Sequence, residues 1–206
     1  VDPPYYIDHK SAKMISQDMT FSSLDAYQEI DQLNYLSFMR QTLKECYRVM
    51  APHSWLICWF AQEPWFEPIH QLLIEVGFST NRLFGAWIKP SGQTKQPNLY
   101  LANAMECFFY ARKGSPKIGK PGRLNRFDYA PVPPQKKIHP TERPLGLMME
   151  LLQTFGQPGN RVLVPFLGSG KTLIAAHESK MNAFGFDVVK SFKDSFIIQL
   201  HKEEIS

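Results

Sequence analysis

Between Ser23 and Met50, apolar residues recur at helical spacing: Leu24, Tyr27, Ile30, Leu33, Leu36, Leu43 and Tyr47. The spacing predicts a helix over 23–50, with Ser23 as N-cap and Pro52 just past its end. Residues 6–22 before it are polar and read as loop. Trp55 to Ala61 (WLICWFA) is apolar without a break, the pattern of a strand buried on both faces. A helix over 63–76 follows, stopped by Gly77. Then come a strand over 82–89, broken by Pro90-Ser91-Gly92, and an aromatic-rich strand over 105–111. After a long polar stretch the same patterns return. They predict a helix over 142–155 turned by Gly156 and Pro158-Gly159, a strand over 162–166, a helix from Lys171 to Lys180, a strand over 183–187 and a last helix over 190–203. Strands and helices alternate throughout. The expected fold is therefore α/β, a doubly wound, mostly parallel sheet with helices on both faces.

Composition adds limits. At 206 residues, 44% hydrophobic and 13% aromatic, the chain is the size of one domain with a proper core. No apolar run reaches the roughly 18 residues of a membrane span, and no secretory signal opens the sequence. Cys46, Cys58 and Cys107 are far apart and match no metal-ligand spacing, so no metal site is expected. They read as small core residues of a protein in a reducing compartment. Net charge is only +4, yet Arg112 to Lys137 holds eight basic residues and one acid, Asp128. Glycine and proline are frequent in that segment, so it reads as an extended basic loop. Lys117, Lys120, Arg123 and Arg126 are its candidates to meet phosphates; the plainer reading is a solvated excursion.

Candidate chemistry begins at RVLVPFLGSGKT, Arg161 to Thr172. Its last residues mimic a phosphate-binding P-loop, but the position of the first required glycine is Pro165. Proline has no N–H for a phosphate, so the loop cannot wrap an anion in the usual way, and an ATPase is only a third reading. What remains is a strand, a turn of Gly168-Ser169-Gly170 and a helix. Glycines let the backbone approach a ligand, and ligands of such sheets sit beyond the carboxyl ends of the strands. Asp187 ends the next strand, 19 residues after Gly168. An acid at about that distance binds ribose hydroxyls in dinucleotide folds, so the pair suits an adenosine-type ligand.

Asp2-Pro3-Pro4-Tyr5 has complementary chemistry. Two prolines fix the backbone and remove two donors. The carbonyls become pure acceptors beside a carboxylate and a flat ring. Asp2 and the Pro3 carbonyl can accept both N–H bonds of an exocyclic amine, and Tyr5 can stack on the ring that bears it.

In combination these stretches resemble the DNA amino-methyltransferases, which use S-adenosylmethionine to methylate adenine N6 or cytosine N4. The catalytic signature [DNS]-P-P-[YFW] corresponds to Asp2, Pro3, Pro4 and Tyr5. F-x-G-x-G corresponds to Phe166-Leu167-Gly168-Ser169-Gly170, and H-P-[ST]-x-K-P to His139-Pro140-Thr141-Glu142-Arg143-Pro144. The strand in Glu106 to Gly114 looks like the last of the family's catalytic half. The order, catalytic motif then recognition loop then cofactor motif, is that of the beta class.

The resemblance implies a Rossmann-like methyltransferase domain over 1–206: a catalytic half 1–111, a target-recognition loop 112–137 and a cofactor half 138–206. It implies S-adenosylmethionine as cofactor, held by His139, Thr141, Phe166, Gly168, Ser169, Gly170 and Asp187, with Phe186 beside the adenine. It implies site-specific transfer to adenine N6 in double-stranded DNA after base flipping, by a cytoplasmic protein of a prokaryote or phage. It leaves room for a homodimer or a companion restriction endonuclease. Cytosine N4 is the alternative; Asp at the head of the tetrapeptide is commoner in the adenine enzymes. A DNA-binding module that kept the fold without activity is the rival from another class. Three positions depart from the pattern: Val164 stands for an Asp, Lys171 for a small or hydroxyl residue, and Arg143 for Lys. The family's strand leading into the tetrapeptide does not occur in the sequence, so the intact protein is expected to carry further residues upstream.

Overall fold

Helix α1, Gln32–Val49, turns one stripe inward: Tyr35, Met39, Leu43 and Cys46 are buried at steps of four, four and three. The Lys113 ammonium closes its end, donating to the carbonyls of Tyr47 (2.7 Å) and Met50 (2.8 Å). This computed structural model describes residues 1–4, 32–94, 96–137, 139, 141–190, 193, 194, 196, 197 and 200. The first turns of the predicted 23–50 helix, Tyr5 and much of the predicted 190–203 helix lie outside them.

Strand β1 (Ser54–Phe60), helix α2 (Gln62–Val76) and strands β2 (Gly85–Gln93) and β3 (Asn103–Lys113) follow. Period-two alternation divides their side chains between two cores. Leu56, Cys58, Phe60, Ala86, Cys107, Phe109 and Ala111 pack with α1 and α2 on one face. Trp59, Trp87 and Phe108 pack on the other face with Leu147 and Leu151 of helix α3, Leu145–Phe155. Two covered faces explain the unbroken apolar run in β1.

Strand directions are more mixed than the alternation predicts. With Arg126–Asp128 as β4, the sheet order is β1-β3-β2-β4, and β3 is antiparallel to both neighbours. Only residues 94–102 join β2 to β3, and so short a link makes a hairpin. β2 also continues through Pro90-Ser91-Gly92, where the sequence predicts a break. The register shifts between Ile88 and Gln93, and the irregularity absorbs a residue with no N–H.

The basic segment is not an open excursion. Arg126–Asp128 forms β4, parallel to β2, and Phe127 is buried in the second core. The Trp87 indole donates to the Tyr129 carbonyl at 2.7 Å. Strand β5 (Arg161–Val164), helix α4 (Lys171–Glu178) and strand β6 (Asn182–Gly185) form a parallel β-α-β unit, with α4 against α3. Between β1 and β5 lies a cavity of about 1270 Å³, with Trp55 and Ile57 on one wall and Leu163 and Val164 on the other. The Val1 nitrogen donates to the Ile57 carbonyl (2.6 Å), and the Val1 carbonyl accepts from Trp59 N–H (3.0 Å). That bracketing of Cys58 is parallel register, and it aims Asp2 toward the carboxyl end of β1.

Among the described residues, no helix is long and apolar enough to cross a membrane.

Candidate functional site

The cavity gathers the expected residues from both ends of the chain. Asp2, Pro3 and Pro4 line it, as do His139, Thr141, Phe166, Gly168, Ser169 and Asp187. Gly170 is buried beneath the loop.

The loop after β5 is built by its neighbours. Leu167 N–H donates to the Phe186 carbonyl at 2.8 Å, extending the β5–β6 pairing past Pro165. Gly168 and Gly170 have φ of +53° and +75°, the left-handed region where a Cβ is costly. Gly170 then starts α4, its carbonyl accepting from Leu173 N–H at 2.9 Å. The Asp187 carboxylate ties the turn down: Oδ2 accepts from Gly168 N–H and Oδ1 from Val189 N–H, each at 2.9 Å. Asp187 thus has a loop-shaping role that its spacing alone does not reveal. Phe166 packs on Phe38 of α1, with ring centroids 5.9 Å apart.

His139 covers the loop: a methyl added to Gly168 would sit 3.6 Å from its Cε1. The backbone N–H of Thr141 donates to Nδ1 at 3.3 Å, and Thr141 Oγ1 lies 3.1 Å from the same nitrogen. Nδ1 is therefore an acceptor, and the proton of the neutral ring sits on Nε2. Burial lowers the His139 pKa, which Asp187 partly offsets, so the ring is neutral at pH 7.

The next two residues explain two departures from the family pattern. Glu142 and Arg143 precede α3 in a turn, because helix formation waits for Pro144, and both are buried. Glu142 Oε1 lies 3.8 Å from Lys171 Nζ at the start of α4, so the unusual lysine is paired. Arg143 forms an ion pair with Asp2 and donates from its other arm to Glu106 Oε2 at 3.0 Å. Its guanidinium stacks 4.1 Å from the Trp59 ring centroid. Burial pushes Arg143 down to about 9, which leaves it charged at neutral pH. Glu106 Oε1 in turn holds Lys89 Nζ at 2.6 Å. Neither Glu106 nor Lys89 stands out from the sequence alone. Lys89 is the one charge in β2, and Glu106 is the one acid in β3.

The four basic candidates are spread along the sheet. Trp55 Nε1 donates to the Lys117 carbonyl at 3.1 Å, so Lys117 lies at the amino end of β1. Asp2 is at the other end, about 13 Å away by the rise over four residues. Lys120 Nζ donates to Gln153 Oε1 (3.0 Å), and Arg123 pairs with Glu150 (2.9 Å) over the Phe127 ring. Arg126 pairs with Ala86 in register, level with Phe60 across β3, and so stands at the Asp2 end. Its guanidinium is in an exposed pair with Asp128.

A family model described as DNA methylase matches residues 1–137 and 119–199. The chain is 31% identical over 158 residues to the type II methyltransferase M.MjaI of Methanocaldococcus jannaschii, covering 61% of this chain and 52% of that protein. It is 24% identical over 202 residues to the type II methyltransferase M.HpaI of Haemophilus parainfluenzae, covering 85% and 62%. The chain thus spans about half to three-fifths of the length of these relatives. Among solved structures, M1.HpyAVI in its complex with SAM superposes with a TM-score of 0.68 at 20% identity, covering 96% of this chain and 86% of that one. At that identity the likeness speaks for the Rossmann-like methyltransferase fold alone.

Proposed function

The chain belongs to the DNA methylase family, and we propose that it transfers a methyl group from S-adenosylmethionine to the exocyclic N6 of adenine in double-stranded DNA. The observation that carries the proposal is the convergence of Asp2-Pro3-Pro4 and the glycine loop on one cavity.

The residues present fit the cofactor. Gly168 puts no side chain into the cradle under His139. Each Asp187 oxygen has a second lone pair beyond the N–H it accepts, enough for ribose hydroxyls. Phe166 and Phe186 offer aromatic faces at the rim. His139, neutral with a donor at Nε2, and Thr141 hold the methionine end. When bound, S-adenosylmethionine supplies an electrophilic methyl on a sulfonium sulfur.

The target base leaves the duplex, because its amine is inaccessible while stacked and paired. Asp2 and the Pro3 carbonyl accept its two N–H bonds, and Tyr5 stacks on its ring. Held so, the nitrogen lone pair is drawn out of the ring system and made available to a methyl donor. S-adenosylmethionine held by the glycine loop would supply the methyl carbon, the electron pair of its C–S bond would stay on sulfur, and the methylated amine would give up a proton to solvent. Positioning and electrostatics carry the rate. DNA meets the Asp2 end of the sheet, where Arg126 stands ready to exchange Asp128 for a phosphate.

Base-resolution sequencing of DNA from cells expressing the intact protein tests this. N6-methyladenine at a defined site supports the proposal. N4-methylcytosine reassigns the base, and unmodified DNA refutes catalysis in favour of a DNA-binding module.

A further inference from the structure

We infer that Arg143 is a positioning residue for methyl transfer, holding the Asp2 carboxylate in the orientation that receives the target amine. The inference rests on the role proposed above for Asp2. Three other elements fix the guanidinium. Its far arm is bonded to Glu106 on β3, Glu106 is anchored by Lys89 on β2, and its flat face lies on Trp59 of β1. Charges alternate along this chain: carboxylate, guanidinium, carboxylate, ammonium. Pro3 and Pro4 hold the backbone after Asp2, and the side chain is positioned separately. The Arg143 ion pair at Oδ2 helps hold the carboxylate in one orientation toward the amine. A planar fork suits this task because it spans two carboxylates from one plane. A lysine there keeps the charge and loses the second arm.

Single-turnover methyl transfer and calorimetric cofactor affinity, measured on the intact protein, separate this role from a structural one. Arg143→Met is expected to be about 100-fold slower with a cofactor Kd within about threefold of wild type. Arg143→Lys is expected to recover roughly tenfold of that loss. A folded Arg143→Met protein with wild-type rate overturns the inference. So does a loss that lies wholly in cofactor affinity, or Arg143→Lys no better than Arg143→Met. If Arg143→Met does not fold, Glu106→Gln decides. It leaves Arg143 in place and loosens its far anchor, so about a tenfold slower rate is expected and an unchanged rate overturns the inference. Asp2→Ala is run in parallel. Full activity there refutes the proposed role of Asp2. An inactive Asp2→Ala beside a fully active Arg143→Met refutes only the role of Arg143.

Discussion

Replacing Asp187 separates loop shaping from ligand binding. In Asp187→Ala the N–H groups of Gly168 and Val189 lose charged acceptors, both now at 2.9 Å. A hydrogen bond to a charged group contributes about 1.5–3 kcal/mol. The carboxylate is only half-buried and water can replace part of it, so the low end applies. The two bonds together give a cost of about 2–3 kcal/mol. For a chain of this size each kcal/mol moves the unfolding midpoint by about 2–4 °C, so a fall of about 4–12 °C is expected. Asp187→Asn keeps one acceptor oxygen and should lose about half as much. Thermal unfolding without cofactor measures the first effect, and calorimetry with S-adenosylmethionine the second. Both variants should bind the cofactor at least about tenfold more weakly, since a ribose acceptor is lost as well. If Asp187→Ala unfolds within about 1 °C of wild type and binds the cofactor equally well, the account of this loop is wrong.

Three further outcomes follow from geometry. Gly168→Ala should fold at a cost of about 1–2 kcal/mol from its positive φ, whereas Gly170→Ala should cost more because its methyl would overlap the Phe196 ring; urea unfolding ranks them, and equal costs would contradict the packing. Among the described residues neither ring nitrogen of buried His70 has a hydrogen-bond partner, and burial lowers its pKa. The unfolded chain then binds more protons, so the His70 contribution is present above about pH 6.5 and is lost as pH falls, as for His139. His70→Leu should weaken that acid-side loss between pH 7.5 and 5.5, and an unchanged loss would speak against it. Arg126→Ala should weaken DNA binding and reduce its salt slope by about 1, while Lys117→Ala leaves both alone; the reverse order in a salt titration would place DNA at the other end of the sheet.

Much of the site was legible in the sequence because its parts are local. A double proline, a pair of glycines and an acid at the end of a strand each impose their chemistry on the backbone nearby. The second job of Asp187, buttressing the loop it follows, depends on β5–β6 pairing and has no local mark. The same holds for the Arg143–Glu106–Lys89 chain, which joins residues from α3's approach, β3 and β2. In the fold, β1 was plain from its unbroken apolar run and α1 from apolar residues at helical spacing. β4 was hidden because three residues carry little pattern and their buried Phe127 sits among charges. Pro90 misled because an irregular register tolerates a proline that a regular ladder would not.

The account depends on one encounter, an amine held at Asp2 meeting the methyl carried by the glycine loop. Its most direct test is the transfer of tritiated methyl from S-adenosylmethionine to DNA in a single turnover by intact Asp2→Ala protein saturated with cofactor. Unlabelled DNA from that variant, beside labelled DNA from the wild type, is the expected result. Labelling of the variant's DNA at the wild-type rate would contradict the account.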